Sequence, residues 1–295
     1  MPQRREGPVS ALGRHLRILD AFAVGTAFLT LSDIARRSEL PISTAHRLVA
    51  ELEYEGLLER LPDRSYQLGL RLWELAARTP RALGLREIAA PLMRLVQDQI
   101  RQHTQLGVDG GYDVVYLDRL SRHDAVVNAT VVGGRISLGA SAIGHVLLLN
   151  KSTEFLQELV DSGIRHYTDA TPRTVAELQS VLDEVRCRGV AIANGFVHPL
   201  ARGMAAPIYG PDGAVVAGLG VVVPSADPVK SRDVELLRSA AAAITKQLRR
   251  AYVDPRHPHA LPGAKFRVLI NSSASSMQYF DEETGTISER GAPGH

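Results

Sequence analysis

Residues 30–68 read TLSDIARRSELPISTAHRLVAELEYEGLLERLPDRSYQL, and their periodicity decides the N-terminal fold. Thr30, with Asp33 three residues on, has the form of a capping box, and Ile34 and Ala35 give the short helix it opens an inward side. Ser38, Glu39 and Leu40 make the turn. Pro41 enters the next helix in its first turn, where a missing N–H costs little. Ala45, Leu48, Val49 and Leu52 form one apolar face, leaving Ser43, Thr44, His46, Arg47 and Ala50 off it. Gly56 stops the helix, and residues 57–68 read as strand, turn and strand with the turn at 62–64.

Upstream, residues 10–24 place Leu12, Leu16, Leu19 and Ala23 at helical spacing, so the sequence predicts a first helix with that stripe in the core. The unit 10–69 is then a winged helix-turn-helix. Residues 70–80 read as a linker helix interrupted at Pro80, followed by a helix from about 83 to 101 with Leu85, Ile88, Ala89, Leu92, Leu95, Val96 and Ile100 on one face.

Residues 81–250 read as a second, mixed domain. A hairpin turns at Gly110 and Gly111, and Ser141 caps a short helix. Helices are expected near 153–160 and 174–188. Two long strands meet at residues 211–213, and a last helix covers 229–250. Strands with helices segregated around them make the fold class α+β. Residues 251–295 turn Pro/His-rich and then polar, and read as a flexible extension.

The winged unit reads as a DNA reader. A helix fits the major groove, and small side chains at its start allow close approach. Ser43 and Thr44 suit phosphate, His46 suits a phosphate or base edge, and Arg47 suits bidentate contact with guanine or a phosphate clamp. Arg64 lies at the wing tip, and Arg36 and Arg37 flank the turn. The whole chain carries 34 basic and 32 acidic residues, a formal charge of +2, which is too little for a broad attractive field. Recognition therefore rests on local arginines.

The same segment, continuing through YDVVYLDRL, LGASAIGHVLL, EVRCRGVAI and AAPIYGPDGAVVAGLGV, resembles the IclR (isocitrate-lyase-regulator) family of bacterial transcription factors over roughly residues 10–250. The resemblance implies a winged helix-turn-helix, a linker helix and a GAF-like effector-binding domain. It also implies homodimers, or dimers of dimers, on palindromic double-stranded promoter DNA, with a small organic acid or aromatic compound as effector.

Against the family's usual LHATAxGK, this chain has LGASAIGH at 138–145: Gly139 replaces His, Ser141 replaces Thr and His145 replaces Lys. Ser141 keeps a hydroxyl, and the N–H groups of Ala142, Ile143 and Gly144 can receive a carboxylate. Against the usual acidic stretch and GxRCxAAP, this chain has VAIANGFVHPLARGMAAP at 190–207, with Gly203 where Cys is frequent. Asn194, Phe196, Arg202 and Gly203 are the effector-site candidates there, with His198 beside them. A loop accounts for the polar ones equally well, and packing accounts for Phe196.

No catalytic constellation is present in the sequence. Asp113, Asp118 and Asp124 have no paired-carboxylate spacing, and the histidines are scattered, with no HExxH or CxxC. The expectation is no enzyme, no metal and no cofactor. The single cysteine, Cys187, falls at the end of an amphipathic helix and reads as a packed thiol. The N-terminal stretch has no apolar segment of the secretory kind, and no run is long enough to span a membrane, so a cytoplasmic protein is expected. The preferred function is a ligand-controlled repressor. The alternative is a sensory or scaffold protein that keeps the architecture without binding specific DNA.

Overall fold

The computed structural model describes residues 10–23, 25–77 and 80–251. The extension beginning at residue 252 lies outside the described residues, as do 78 and 79 of the expected linker.

In the N-terminal unit α1 (Ala11–Asp20), α2 (Leu31–Ser38) and α3 (Ile42–Tyr54) precede a hairpin of β1 (Leu58–Arg60) and β2 (Tyr66–Leu68). Thr30 caps α2: its Oγ1 accepts from the Asp33 N–H at 3.2 Å and donates to Asp33 Oδ2 at 2.7 Å. Ala45, Leu48, Val49 and Leu52 are all buried. They close a core with Ile18, Ile34, Leu58 and Tyr66. Leu29 bridges Tyr66 in antiparallel fashion, adding a third short strand to the wing that the sequence did not suggest.

The orientation of α1 differs from the expectation. Ile18 is buried and Arg14, His15 and Leu19 half-buried, whereas Leu12 and Leu16 are exposed, as is Ala23 beyond the helix end. The helix is rotated because Ile18, with Ala21 just past the C-terminus, fills the core above α3. Periodicity cannot choose between two apolar stripes on one cylinder. The Leu12–Leu16 stripe is left without an internal partner.

Helix α4 (Leu70–Ala76) has no buried residue. Helix α5 (Pro80–Ile100) begins at Pro80 itself, so that proline opens the helix instead of interrupting it, as its missing N–H allows in a first turn. Met93 is fully buried while Leu95 is 45% exposed, so the helix turns a slightly different face inward than expected.

The C-terminal unit is one six-stranded antiparallel sheet in the order β5-β4-β3-β8-β7-β6. Its strands are β3 (His103–Asp109), β4 (Asp113–Leu120), β5 (Arg135–Ser137), β6 (Ala191–Asn194), β7 (Ala201–Tyr209) and β8 (Val215–Pro224). Helices α5 and α9 (Ser231–Ala251) cover one face, with Met93, Leu219, Leu237 and Ile244 among the residues between. Helices α6 (Ala142–Leu148), α7 (Thr153–Asp161) and α8 (Val175–Arg188) cover the other, around Ile143, Val146, Leu178 and Leu182.

Glycines let helix α6 pack directly against the sheet. A Cβ on Gly107, Gly218 or Gly220 would come within 2.9 Å of an Ile143 side-chain carbon. Two neighbouring strands, β3 and β8, thus leave a bed for one isoleucine. Gly144 is needed for the same reason on the helix side, since a Cβ there would lie 2.0 Å from the Leu138 carbonyl oxygen. Cys187 is exposed on α8, against the expectation of packing: the buried stripe of that helix is Leu178, Leu182 and Val185, and position 187 falls off it.

Candidate nucleic-acid interface and effector cavity

On α3, Ser43, His46 and Arg47 are exposed and Thr44 is half-buried. They share the side opposite Ala45 and Leu48. The Arg47 guanidinium hydrogen-bonds Glu51 Oε1 one turn on, and the other oxygen of Glu51 lies 2.8 Å from His15 Nε2 on α1. His15 Nδ1 is 2.9 Å from the Ala11 carbonyl. The Glu51 carboxylate is held below the usual range, chiefly by the hydrogen bond from His15 and by the charge of Arg47.

The two arginines near the turn differ. Arg36 is exposed and pairs with Asp33 at 2.5 Å. Arg37 donates to Thr26 Oγ1 at 3.2 Å and to the Ala21 carbonyl at 3.4 Å, tying α2 to the segment after α1. Arg64 is exposed at the wing tip with φ 66°, in a turn closed by Asp63 Oδ1, which accepts from both N–H and hydroxyl of Ser65. The left-handed backbone at position 64 projects the hairpin tip outward.

The second site is a cavity of about 50 Å³ between the sheet and α6. Its walls are mainly apolar, with Ile136, Ala140, Ile143, Ala193, Val197, Ala201, Met204 and Val221, and no Lys, Arg, Asp or Glu lines it among the described residues. Ser141, Ala142, Ile143, His198 and Gly203 line it as well. Ser141 caps α6, its Oγ accepting from the Gly144 N–H at 3.0 Å, and its hydroxyl is hydrogen-bonded to buried Tyr116. Burial pushes the Tyr116 phenol up, so it stays protonated.

The remaining sequence candidates are placed elsewhere. Gly144 is outside the lining, with its N–H already given to Ser141. Arg202 is 9% exposed and donates Nε to Asn194 Oδ1 at 2.9 Å, Nη2 to the Ser225 carbonyl at 2.6 Å and Nη1 to the Asp227 carbonyl. The pair clamps β6, β7 and the segment after β8. Phe196 stacks edge-on against His145, with centroids 5.7 Å apart.

Sequence reasoning missed the polar rim: Gln105, Tyr116, Asn128 and Thr130 all line the cavity. One signal was available. Thr104 and Gln105 are polar residues in an otherwise inward-reading strand, and both are buried. Among the described residues, no group of three or more His, Cys, Asp and Glu is placed to hold a metal ion, and no helix is long and apolar enough to cross a membrane.

A winged reader joined to a sheet domain with a partly open cavity free of charged side chains defines a class: regulators that read DNA with one unit and carry a small-ligand chamber in the other. The family model for the IclR helix-turn-helix domain matches residues 11–62, and that for the bacterial transcriptional regulator IclR C-terminal domain matches 78–246. The chain belongs to the IclR family. It is a DNA-binding transcriptional regulator.

It is 32% identical over 221 residues to the HTH-type transcriptional regulator BhcR of Paracoccus denitrificans, covering 74% of this chain and 79% of that one. It is 28% identical to XynR of Escherichia coli, over 72% and 85% of the two chains. Among solved structures, an IclR homolog from Microbacterium hydrocarbonoxydans complexed with 4-hydroxybenzoate is 40% identical, with a TM-score of 0.76 over 82% of this chain and 100% of that one.

Proposed function

We propose that this protein is a ligand-controlled repressor whose effector is an aromatic or other small organic monoacid held in the cavity beside Ser141. One observation carries the reading: the chamber is mainly apolar and free of charged side chains, yet at α6 it offers a hydroxyl and the first N–H groups of a helix. Of the three N–H groups expected to receive a carboxylate, Gly144 is engaged by Ser141, so Ala142 and Ile143 take that part. The relative complexed with 4-hydroxybenzoate supports this ligand class.

In the DNA-bound form, Ser43, Thr44, His46 and Arg47 enter the major groove, Arg36 and Arg64 reach the backbone, and Arg37 steadies the turn. Two chains read a palindrome. Support for a partner chain comes from the exposed apolar residues Leu12 and Leu16 on α1 and Leu70, Trp73 and Leu75 on α4. The antiparallel sheet with helices on both faces is read as GAF-like, and the protein acts in the cytoplasm, where bacterial promoters are.

Switching requires that the effector bind the DNA-competent and DNA-incompetent arrangements with different affinity. The test is genome-wide capture of DNA bound by the tagged protein, with and without 4-hydroxybenzoate. A small set of promoters released by the acid is the expected result. Capture of no specific site in either condition would leave the scaffold reading in its place.

A further inference from the structure

The cavity carries a polar chain whose direction is fixed by chemistry. Thr130 Oγ1 has a single proton, and it lies 2.8 Å from Asn128 Oδ1 and 2.5 Å from Gln105 Nε2. An amide nitrogen donates, so Gln105 gives to Thr130 and Thr130 gives to Asn128. The Thr130 N–H also donates to Asn128 Oδ1, at 3.0 Å. With two donors on its oxygen, the Asn128 amide cannot be reversed without setting donor against donor. Its nitrogen is therefore fixed at the end of the chain, and that Nδ2 is buried with no hydrogen-bond partner.

A buried donor left unpaired is costly, and the cost is relieved if a ligand brings the acceptor. We infer that Asn128 is a specificity-determining residue of the effector site, reading an uncharged acceptor oxygen that the ligand carries in addition to its acid group. The inference rests on the acid-binding reading of the same cavity. The absence of any lining cation sets the class: a second carboxylate would shed its hydration with no counter-charge, whereas a hydroxyl, ether or carbonyl oxygen sheds far less. The ligand class is an oxygen-substituted monoacid, and dicarboxylates are rejected.

Asn128 lies in the segment between β4 and β5, anchored on either side. Val126 is held through its N–H to Gln102 Oε1 at 2.9 Å and its carbonyl to His103 Nε2 at 2.5 Å. The Thr130 carbonyl accepts from Arg119. The amide is therefore carried on a pinned backbone, which is what discrimination requires.

The test is isothermal calorimetry of the full chain with benzoate, 4-hydroxybenzoate and benzene-1,4-dicarboxylate. The wild type is expected to prefer 4-hydroxybenzoate over benzoate about tenfold, the value of one hydrogen bond to a buried donor, and to reject the dicarboxylate. Asn128→Ala brings that ratio to about one while benzoate still binds. Asn128→Ser is the second variant: its hydroxyl can still accept from the Thr130 N–H two residues on, which preserves the turn, but is too short to serve the ligand. It gives the same loss of preference. A ratio that survives both substitutions, or equal binding of the dicarboxylate, overturns the role of Asn128 while leaving the acid site standing. Failure of the wild type to bind either monoacid removes the acid-site reading, and this inference with it.

Discussion

Glu51 accepts a hydrogen bond from Arg47 on its own helix, and its second oxygen meets His15 of α1 at 2.8 Å. The proposed base-reading arginine is thus held back by a carboxylate that also ties α1 to α3. Phosphate or guanine must compete with Glu51 for the same guanidinium. Glu51→Gln weakens that competition and removes a negative charge facing DNA. Tighter operator binding is expected, with a salt slope steeper by about 1, read from binding isotherms at several salt concentrations. An unchanged slope would show that Arg47 keeps its internal partner on DNA.

Arg47→Ala removes the contact itself. A loss of about 1–3 kcal/mol confined to the operator marks a bidentate base contact. An equal loss on unrelated DNA assigns the residue to phosphate. Retained affinity on both would remove Arg47 from the interface.

What the sequence made legible follows from what periodicity can encode. Ala45, Leu48, Val49 and Leu52 stand alone as one stripe on α3, and all four are buried. On α1 two stripes compete, and only the tertiary fit of Ile18 settles which is inner. The short edge strands β5 and β6 escaped notice because three or four residues hold too little alternation to count. Ser141 was readable as a cap from its place before an apolar run. Asn128 was not, because its role depends on Gln105, 23 positions away in sequence, and on a cavity that exists only after folding.

Arg202 separates a structural from a ligand-binding role. Arg202→Met keeps the bulk but leaves two carbonyls and the Asn194 amide oxygen without their donor. The expected cost is about 3 kcal/mol of domain stability, measured by urea unfolding, with 4-hydroxybenzoate affinity unchanged below the transition. The reverse pattern, lost affinity at full stability, would place Arg202 in the effector site.

Gly203 offers a way to close the cavity without disturbing the fold. A Cβ there meets nothing nearer than the Ala142 Cβ at 3.4 Å, an ordinary contact. Gly203→Val is therefore expected to fold, to fill space beside Ser141, and to lose effector binding by at least about tenfold while retaining operator affinity. Undiminished binding heat in calorimetry would move the ligand elsewhere.

His145 makes stability depend on pH through burial. Its ring is fully buried, Nε2 donates to the Gly139 carbonyl at 3.0 Å, and Nδ1 has no partner. Desolvation outweighs that hydrogen bond and brings the pKa from 6.5 down to about 4. Between these values the unfolded chain binds a proton that the folded chain refuses. The stabilisation is complete above about pH 6.5 and declines as pH falls towards 4, by about 3 kcal/mol in all. His103, also lowered by burial, acts in the same direction, so the wild type alone does not isolate the effect. Gln at position 145 has an amide N–H for the Gly139 carbonyl and no ionisation in this range. Urea midpoints at pH 7.5 and pH 5 should therefore differ less in His145→Gln than in the wild type. Equal pH dependence in the two proteins would show that the ring reaches water or finds a partner for Nδ1.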